Sequence, residues 1–257
     1  MAKPQGKCIF CGGSRLTHEH IMPAWVGRLL PEKATGFSKG GPAVRRVGDT
    51  FTIEVTPPRA KQGNLLGKTV RCVCLNCNGG WMKAIEDAVI PVLGPIVQGE
   101  SVKLSPDQQK LVATWAAIRA AVYDRDDKKV SAVTQLDRDH LFHSRFPPES
   151  WLIWIARNDG GKLWSPSRYW HEIAYVGPRP KAGQPLQANC HLSVMSAGRL
   201  SIWVAGGEGH QFAPALGARL KTLGGTQIWP AARTSVDVAL VDDEVLTDIT
   251  LNFAIVR

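Results

Sequence analysis

The spacing of apolar residues along the chain predicts helices and strands in separate stretches. From Gly80 to Val89 the apolar positions 81/82, 85 and 89 recur at a helical period, which predicts a helix ending near Pro91. A second helix carries a complete start signal. Ser105-Pro106-Asp107-Gln108 sets a capping serine three residues before a glutamine, with proline at the first helical position. Leu111, Trp115, Ile118 and Val122 follow at i, i+4, i+7 and i+11, so this helix is expected to run to about Tyr123 with one apolar face. Asp124 to Lys129 reads as a charged break. After Pro147-Pro148, Trp151 to Ile155 reads as a buried strand. His191 to Met195 and Leu200 to Ala205 read as two more, joined by a short turn with Gly198 where a positive φ is needed. The pattern predicts an α+β fold, with residues 101–257 as an α+β domain following an N-terminal unit of residues 1–100.

Composition narrows the classes. A chain of 257 residues with 44% hydrophobic and 21% charged residues, and no biased tract, is not mainly disordered. Its longest apolar stretch, Ala88 to Val97, is about half the ~20 residues of a membrane span and contains Pro91 and Pro95, so no membrane association is expected. The N-terminal residues MAKPQGKCIFCGG lack the apolar region of a secretory signal, which makes a cytoplasmic location the expectation. Lys and Arg number 31 against 22 Asp and Glu, and a net charge of +9 favours a polyanion, with nucleic acid first. The excess is uneven. Residues 1–100 carry 13 basic and 7 acidic residues, whereas 101–257 carry 18 and 15. Between Arg28 and Arg71 nine basic residues meet three acidic ones in a Gly- and Pro-rich segment. It reads as a basic loop or hairpin insertion able to neutralise phosphates, although a solvated loop has the same composition. Six tryptophans, at 151, 154, 164, 170, 203 and 229, could stack bases but suit an aromatic core better. The remaining histidines, at 140, 143, 171, 191 and 210, lack ligand spacing and read as surface or satisfied core. No P-loop, nucleophile elbow or dinucleotide fingerprint is present.

Five of the six cysteines lie in the first 77 residues. Cys8-Ile9-Phe10-Cys11 and Cys74-Leu75-Asn76-Cys77 have the two-residue gap of a zinc knuckle, in which a tight turn aims two thiolates at one ion. Two such pairs complete a tetrahedral four-sulfur site, so a structural Zn2+ on Cys8, Cys11, Cys74 and Cys77 is expected. Unliganded buried thiols would not explain two spaced pairs. Cys72 reads as a strand residue and Cys190 as core.

Between the knuckles, Thr17-His18-Glu19-His20 holds two imidazoles and a carboxylate in three positions. A neutral imidazole can deprotonate water and a carboxylate can hold a hard divalent cation, a combination suited to phosphodiester hydrolysis. On a plainer reading His18 and His20 are strand residues on one face, or part of a second zinc site. The order of a Cys-x-x-Cys pair, the element Glu19-His20-Ile21-Met22-Pro23, and Cys74-x-x-Cys77 followed by Asn78 resembles the HNH (ββα-metal) endonuclease family over roughly residues 5–95. That resemblance implies a zinc-braced, treble-clef-like ββα domain. It implies His20 as general base, Glu19 and Asn78 as holders of a catalytic Mg2+ or Mn2+, and the four cysteines as structural. Glu19 stands where the family commonly has aspartate, Asn64 is a loose counterpart of its middle asparagine, and the basic insertion lengthens the gap between the halves of the site. His18, on the same strand face as His20, is a secondary candidate for phosphate contact or metal ligation. Arg15, Arg28 or Lys83 could clamp a neighbouring phosphate. The expected function is a metal-dependent endonuclease acting on DNA, most simply a duplex, with a homodimer as one way to cut both strands. The competing expectation is a zinc-dependent module that binds nucleic acid without cutting it.

Overall fold

A computed structural model of the chain describes residues 6–30, 36–39, 43–47, 50–54, 59–62, 67–126, 131–160, 167–174, 188–207 and 212–246. The first strand, β1 (Leu16–His20), leads into a short helix, α1 (Ala24–Leu29). Four strands come next, β2 (Gly36–Lys39), β3 (Ala43–Val47), β4 (Thr50–Glu54) and β5 (Arg59–Gln62). β2 pairs with β5 and β3 with β4, both antiparallel, so the basic segment contains a nested hairpin. β6 (Thr69–Cys74) then returns antiparallel to β1, which makes that hairpin an excursion between two paired strands. A single turn, α2 (Leu75–Cys77), and a π-type turn over Asn78–Met82 pass into α3 (Lys83–Gln98).

α3 runs past its expected end, through Pro91 and Pro95 to Gln98. Each proline inside a helix costs about 3 kcal/mol. Against that, Val89, Val92, Leu93, Ile96 and Val97 are all buried, at roughly 1.5–3 kcal/mol each. Tertiary packing therefore outweighs the local signal. The helix stops where Gly99 takes a left-handed φ of 99° and its N–H bonds to the Ile96 carbonyl.

After β7 (Lys103–Leu104), α4 (Pro106–Tyr123) starts on the expected Ser105–Gln108 capping box. The expectation of one apolar face is not met: every residue from Val112 to Tyr123 is buried, because α4 is packed among α3, α5 (Gln135–Ser144) and the sheet. Ala113, Ala116, Ala117, Ala120 and Ala121 give that helix a small circumference, so neighbours approach it from all sides. The expected charged break also begins differently. Asp124 is fully buried and accepts hydrogen bonds from Ser131, the Ala132 N–H and Arg138; residues 127–130 lie outside the described set.

The large sheet is formed by β8 (Leu152–Asn158), β9 (Ser167–Ala174), β10 (Cys190–Ala197) and β11 (Leu200–Gly207), with β12 (Thr226–Trp229) after α6 (Phe212–Thr222). Its order is β12-β8-β11-β10-β9, antiparallel, with β14 (Leu240–Val241) running parallel to β8, while β13 (Val236–Asp237) pairs with β7. The three expected strands lie in β8, β10 and β11, and Gly198 at their turn has φ 56°. Trp151, Trp154, Trp170 and Trp203 are buried core residues; Trp164 lies outside the described residues. One apolar cluster runs from Cys8, Phe10 and Trp25 through Leu93 and Trp115 to Trp151 and Ile202, crossing residue 100 without interruption. A smaller cluster around Trp154, Trp203 and Leu220 covers the other face of the sheet. No described helix is long and apolar enough to cross a membrane.

Candidate functional site

The two cysteine pairs meet. The Sγ atoms of Cys8, Cys11, Cys74 and Cys77 all lie within 4.8 Å of one another. A tetrahedral ion with bonds of ~2.3 Å requires sulfurs ~3.8 Å apart, so the spacing fits one ion. The first pair sits on a tight turn in which Gly13 and Cys8 share a backbone hydrogen bond of 2.8 Å and Gly12 takes φ 70°. The second pair straddles the end of β6 and the single turn of α2, so the β1–β6 pairing and the Ile9 N–H to Cys72 carbonyl bond (2.9 Å) carry one pair to the other. Burial pushes the Cys11 and Cys77 thiols up. Burial also opposes ionisation of Cys74, but the Cys77 backbone N–H and the neighbouring thiols outweigh it and bring Cys74 down to about 7. Four sulfurs so close shed their remaining protons when a cation neutralises them, and soft thiolates suit a divalent ion of borderline softness. Cys72, its thiol pushed up to about 12 by burial, is a strand residue outside the tetrad, and Cys190 is fully buried core, both as expected.

β1 divides the acid-histidine segment between its two faces. Alternate residues of a strand share a face. Thr17 and Glu19 therefore point one way, where Glu19 is buried, while His18 is exposed and His20 half-buried. Opposite His18 the ladder slips by one residue, a bulge on β6 between the Thr17–Val73 and Glu19–Val70 pairs. His18 Nδ1 lies 3.2 Å from the Thr69 hydroxyl across that irregularity. Asn78, 61 residues along the chain from Thr17, donates its amide to the Thr17 hydroxyl at 3.0 Å, which sets it on the Glu19 side of β1. The Glu19 carboxylate forms a 2.6 Å ion pair with Arg119 of α4, both side chains nearly out of solvent. The same Arg119 nitrogen donates to the His20 carbonyl at 3.2 Å. Burial opposes the guanidinium charge, but Glu19 and then Glu86 hold it strongly protonated. Glu86 of α3 is half-buried, burial pushes its carboxyl up, and it feels both Arg119 and Glu19.

No family model, curated protein or solved structure matches this chain. Its residues are thus the whole basis for a functional reading. Among the described residues the cysteine tetrad is the one cluster of three or more His, Cys, Asp or Glu side chains grouped closely enough for an ion. Of the phosphate-clamp candidates, Arg15 and Arg28 are exposed and Lys83 is paired with Asp87 one helical turn away. Asn64 and His210 lie outside the described residues.

Sequence reasoning passed over Arg119. Its signal was available: it is the lone charged residue between Lys110 and Asp124, in a run otherwise of Ala, Val, Leu, Ile, Trp, Thr and Tyr. A buried arginine needs a carboxylate partner. A second buried network joins the end of α4 to α5 and the large sheet. Asp124 pairs with Arg138 at 2.7 Å, and His171 sits between Asp124 (3.4 Å) and the Ser193 hydroxyl (2.8 Å). His191, stacked 5.9 Å from His171 and against Trp151, has no hydrogen-bond partner on either ring nitrogen among the described residues, contrary to the expectation of a satisfied core histidine.

Proposed function

We propose that this chain is a divalent-metal-dependent endonuclease of the HNH type acting on DNA, with a treble-clef-like ββα unit braced by a structural Zn2+ on Cys8, Cys11, Cys74 and Cys77. The observation that carries the reading is the hydrogen bond from Asn78 to Thr17, 3.0 Å long. It joins the start of the helical segment to the strand bearing Glu19 and His20, directly beside the cysteine tetrad. Glu19 and Asn78 would hold the catalytic cation, since they share one side of β1. A bound Mg2+ or Mn2+ supplies charge neutralisation for the phosphoryl oxygens and the departing 3′ oxygen. His20 has an imidazole without a hydrogen-bond partner among the described residues, half exposed at the end of β1, as a general base requires. It takes a proton from water as the water oxygen bonds to phosphorus and the 3′ oxygen leaves, giving 5′-phosphate and 3′-hydroxyl ends. The basic hairpin segment supports a polyanionic partner through its composition.

A second reading is favoured by one observation: the Glu19 carboxylate already neutralises Arg119 and is nearly buried. A zinc-dependent module that binds nucleic acid without cutting would need no more than that. Supercoiled plasmid incubated with Mg2+, Mn2+ or EDTA separates the two. The endonuclease reading expects nicked or linear product with metal, none with EDTA, and at least ~100-fold less with His20→Ala, the usual scale of general-base catalysis. Retention of plasmid in gel shifts, with no cutting of duplex, single strand or RNA by the zinc-loaded chain, would transfer the conclusion to the binding module.

A further inference from the structure

Arg119 touches both residues of the acid-histidine pair, and one atom makes both contacts. Its terminal nitrogen Nη1 lies 2.6 Å from Glu19 Oε1 and 3.2 Å from the His20 carbonyl oxygen. The guanidinium arrives from α4, 99 residues further along the chain, and is enclosed there: Nε has neither solvent nor, among the described residues, a hydrogen-bond partner. A buried cation that spends its one shared nitrogen on two consecutive residues at a strand end fixes two things at once. It holds the carboxylate by Oε1, and it pins the peptide plane next to the His20 side chain.

We infer that Arg119 is the positioning residue of the Glu19–His20 pair, orienting the Glu19 carboxylate to present Oε2 to a hard divalent cation while holding the His20 backbone in register. The inference rests on the endonuclease reading for its cation. Carboxylates that ligate metals are commonly held by an outer partner, and loss of such partners lowers metal affinity or activity by 10- to 100-fold. Being enclosed, Arg119 cannot touch DNA, so its removal should act on kcat and on metal dependence and leave the DNA concentration for half-maximal rate unchanged. The α4 helix would then be part of the site's machinery, although residues 101–257 carry none of the family-like motif.

The test uses the full zinc-loaded chain and Mn2+ as probe, with free Mn2+ counted by electron paramagnetic resonance. Wild type is expected to bind one Mn2+ that is lost in Glu19→Gln. Arg119→Met is expected to weaken that site by about 10- to 100-fold and to lower kcat in parallel, with zinc content unchanged. Arg119→Lys, whose ammonium can reach part of the way to both acceptors, is expected to fall between the two. Equal Mn2+ affinity and kcat in wild type and a folded Arg119→Met would overturn the proposal. Should Arg119→Met fail to fold, the lysine variant decides: affinity equal to wild type overturns it, an intermediate value supports it. A wild type that binds Mn2+ through Glu19 but cuts nothing would remove the endonuclease reading and leave the positioning role standing on the affinities. A wild type that binds no Mn2+ through Glu19 would remove both.

Discussion

His191 is the residue whose surroundings make the plainest demand on solution conditions. Burial, and next the neighbouring His171, push its imidazole down to about 3. An imidazole in the unfolded chain titrates near ~6.5. The folded state therefore binds fewer protons than the unfolded state between those values, so this contribution is complete above ~pH 6.5 and is lost as pH falls towards 3. The slope approaches ~1.4 kcal/mol per pH unit. Asp124, held well below the carboxylate range against its burial by His171 and Ser131, acts with the same sign but below ~pH 4. Urea unfolding at pH 7 and pH 5 is thus expected to differ by about 2 kcal/mol. His191→Phe, which keeps an aromatic ring against Trp151, is expected to flatten most of that difference, and an unchanged slope would assign it to other groups. Sequence reasoning could not reach this behaviour, since nothing in the neighbours of His191 along the chain marks it as enclosed. The cysteine pairs were legible for the opposite reason: their chemistry is written in local spacing, which survives without knowledge of the fold. Arg119 lies between these cases, marked by its isolation in an apolar run but paired across a distance that no local pattern encodes.

At the scale of elements, the tetrad ties the turn before β1 to the turn that opens α2 and α3. Neither turn is long enough to hold itself, α2 being a single turn followed by a π-type turn with Gly80 off helical geometry. Stripping the metal with a strong chelator, or replacing Cys77 by Ser, is expected to free both turns together. Amide exchange should then speed up over residues 8–13 and 74–82 while the sheet strands stay protected, and metal counted by elemental analysis should fall from about one ion per chain to near none. Uniform loss of protection everywhere, or no change at all, would count against that division. Elements announced by their own ends are legible in the sequence. The capping box of α4 and the glycine turn between β10 and β11 stand where the sequence placed them, because a cap or a positive φ is a local requirement. α3 outruns the end that its two prolines predict, because they are a local signal and its buried aliphatic face, packed against α1, α4 and β11, is a tertiary one.

For the whole molecule, the single apolar cluster that joins Trp25 to Trp115 (ring centroids 6.1 Å) and the bond from Gln135 to the Ile9 carbonyl (3.1 Å) make the cysteine-bearing part depend on residues beyond 100. A fragment of residues 1–100 would expose Phe10, Trp25, Val89 and Ile96 to water. It is expected to show no cooperative thermal transition even with zinc, while the full chain melts in one; a sharp transition in the fragment would establish a self-sufficient domain.

Enclosure of α4 on every side has a further effect on how this protein can change over generations. A position bordered by solvent accepts a larger side chain by letting it swing outward, as Ala84 and Ala88 on α3 could. Ala116, Ala117, Ala120 and Ala121 have no such outlet. Growth there must be matched by shrinkage in a facing strand or helix, so single-step drift is closed to the helix and innovation must arrive as compensated pairs or settle on the outer elements.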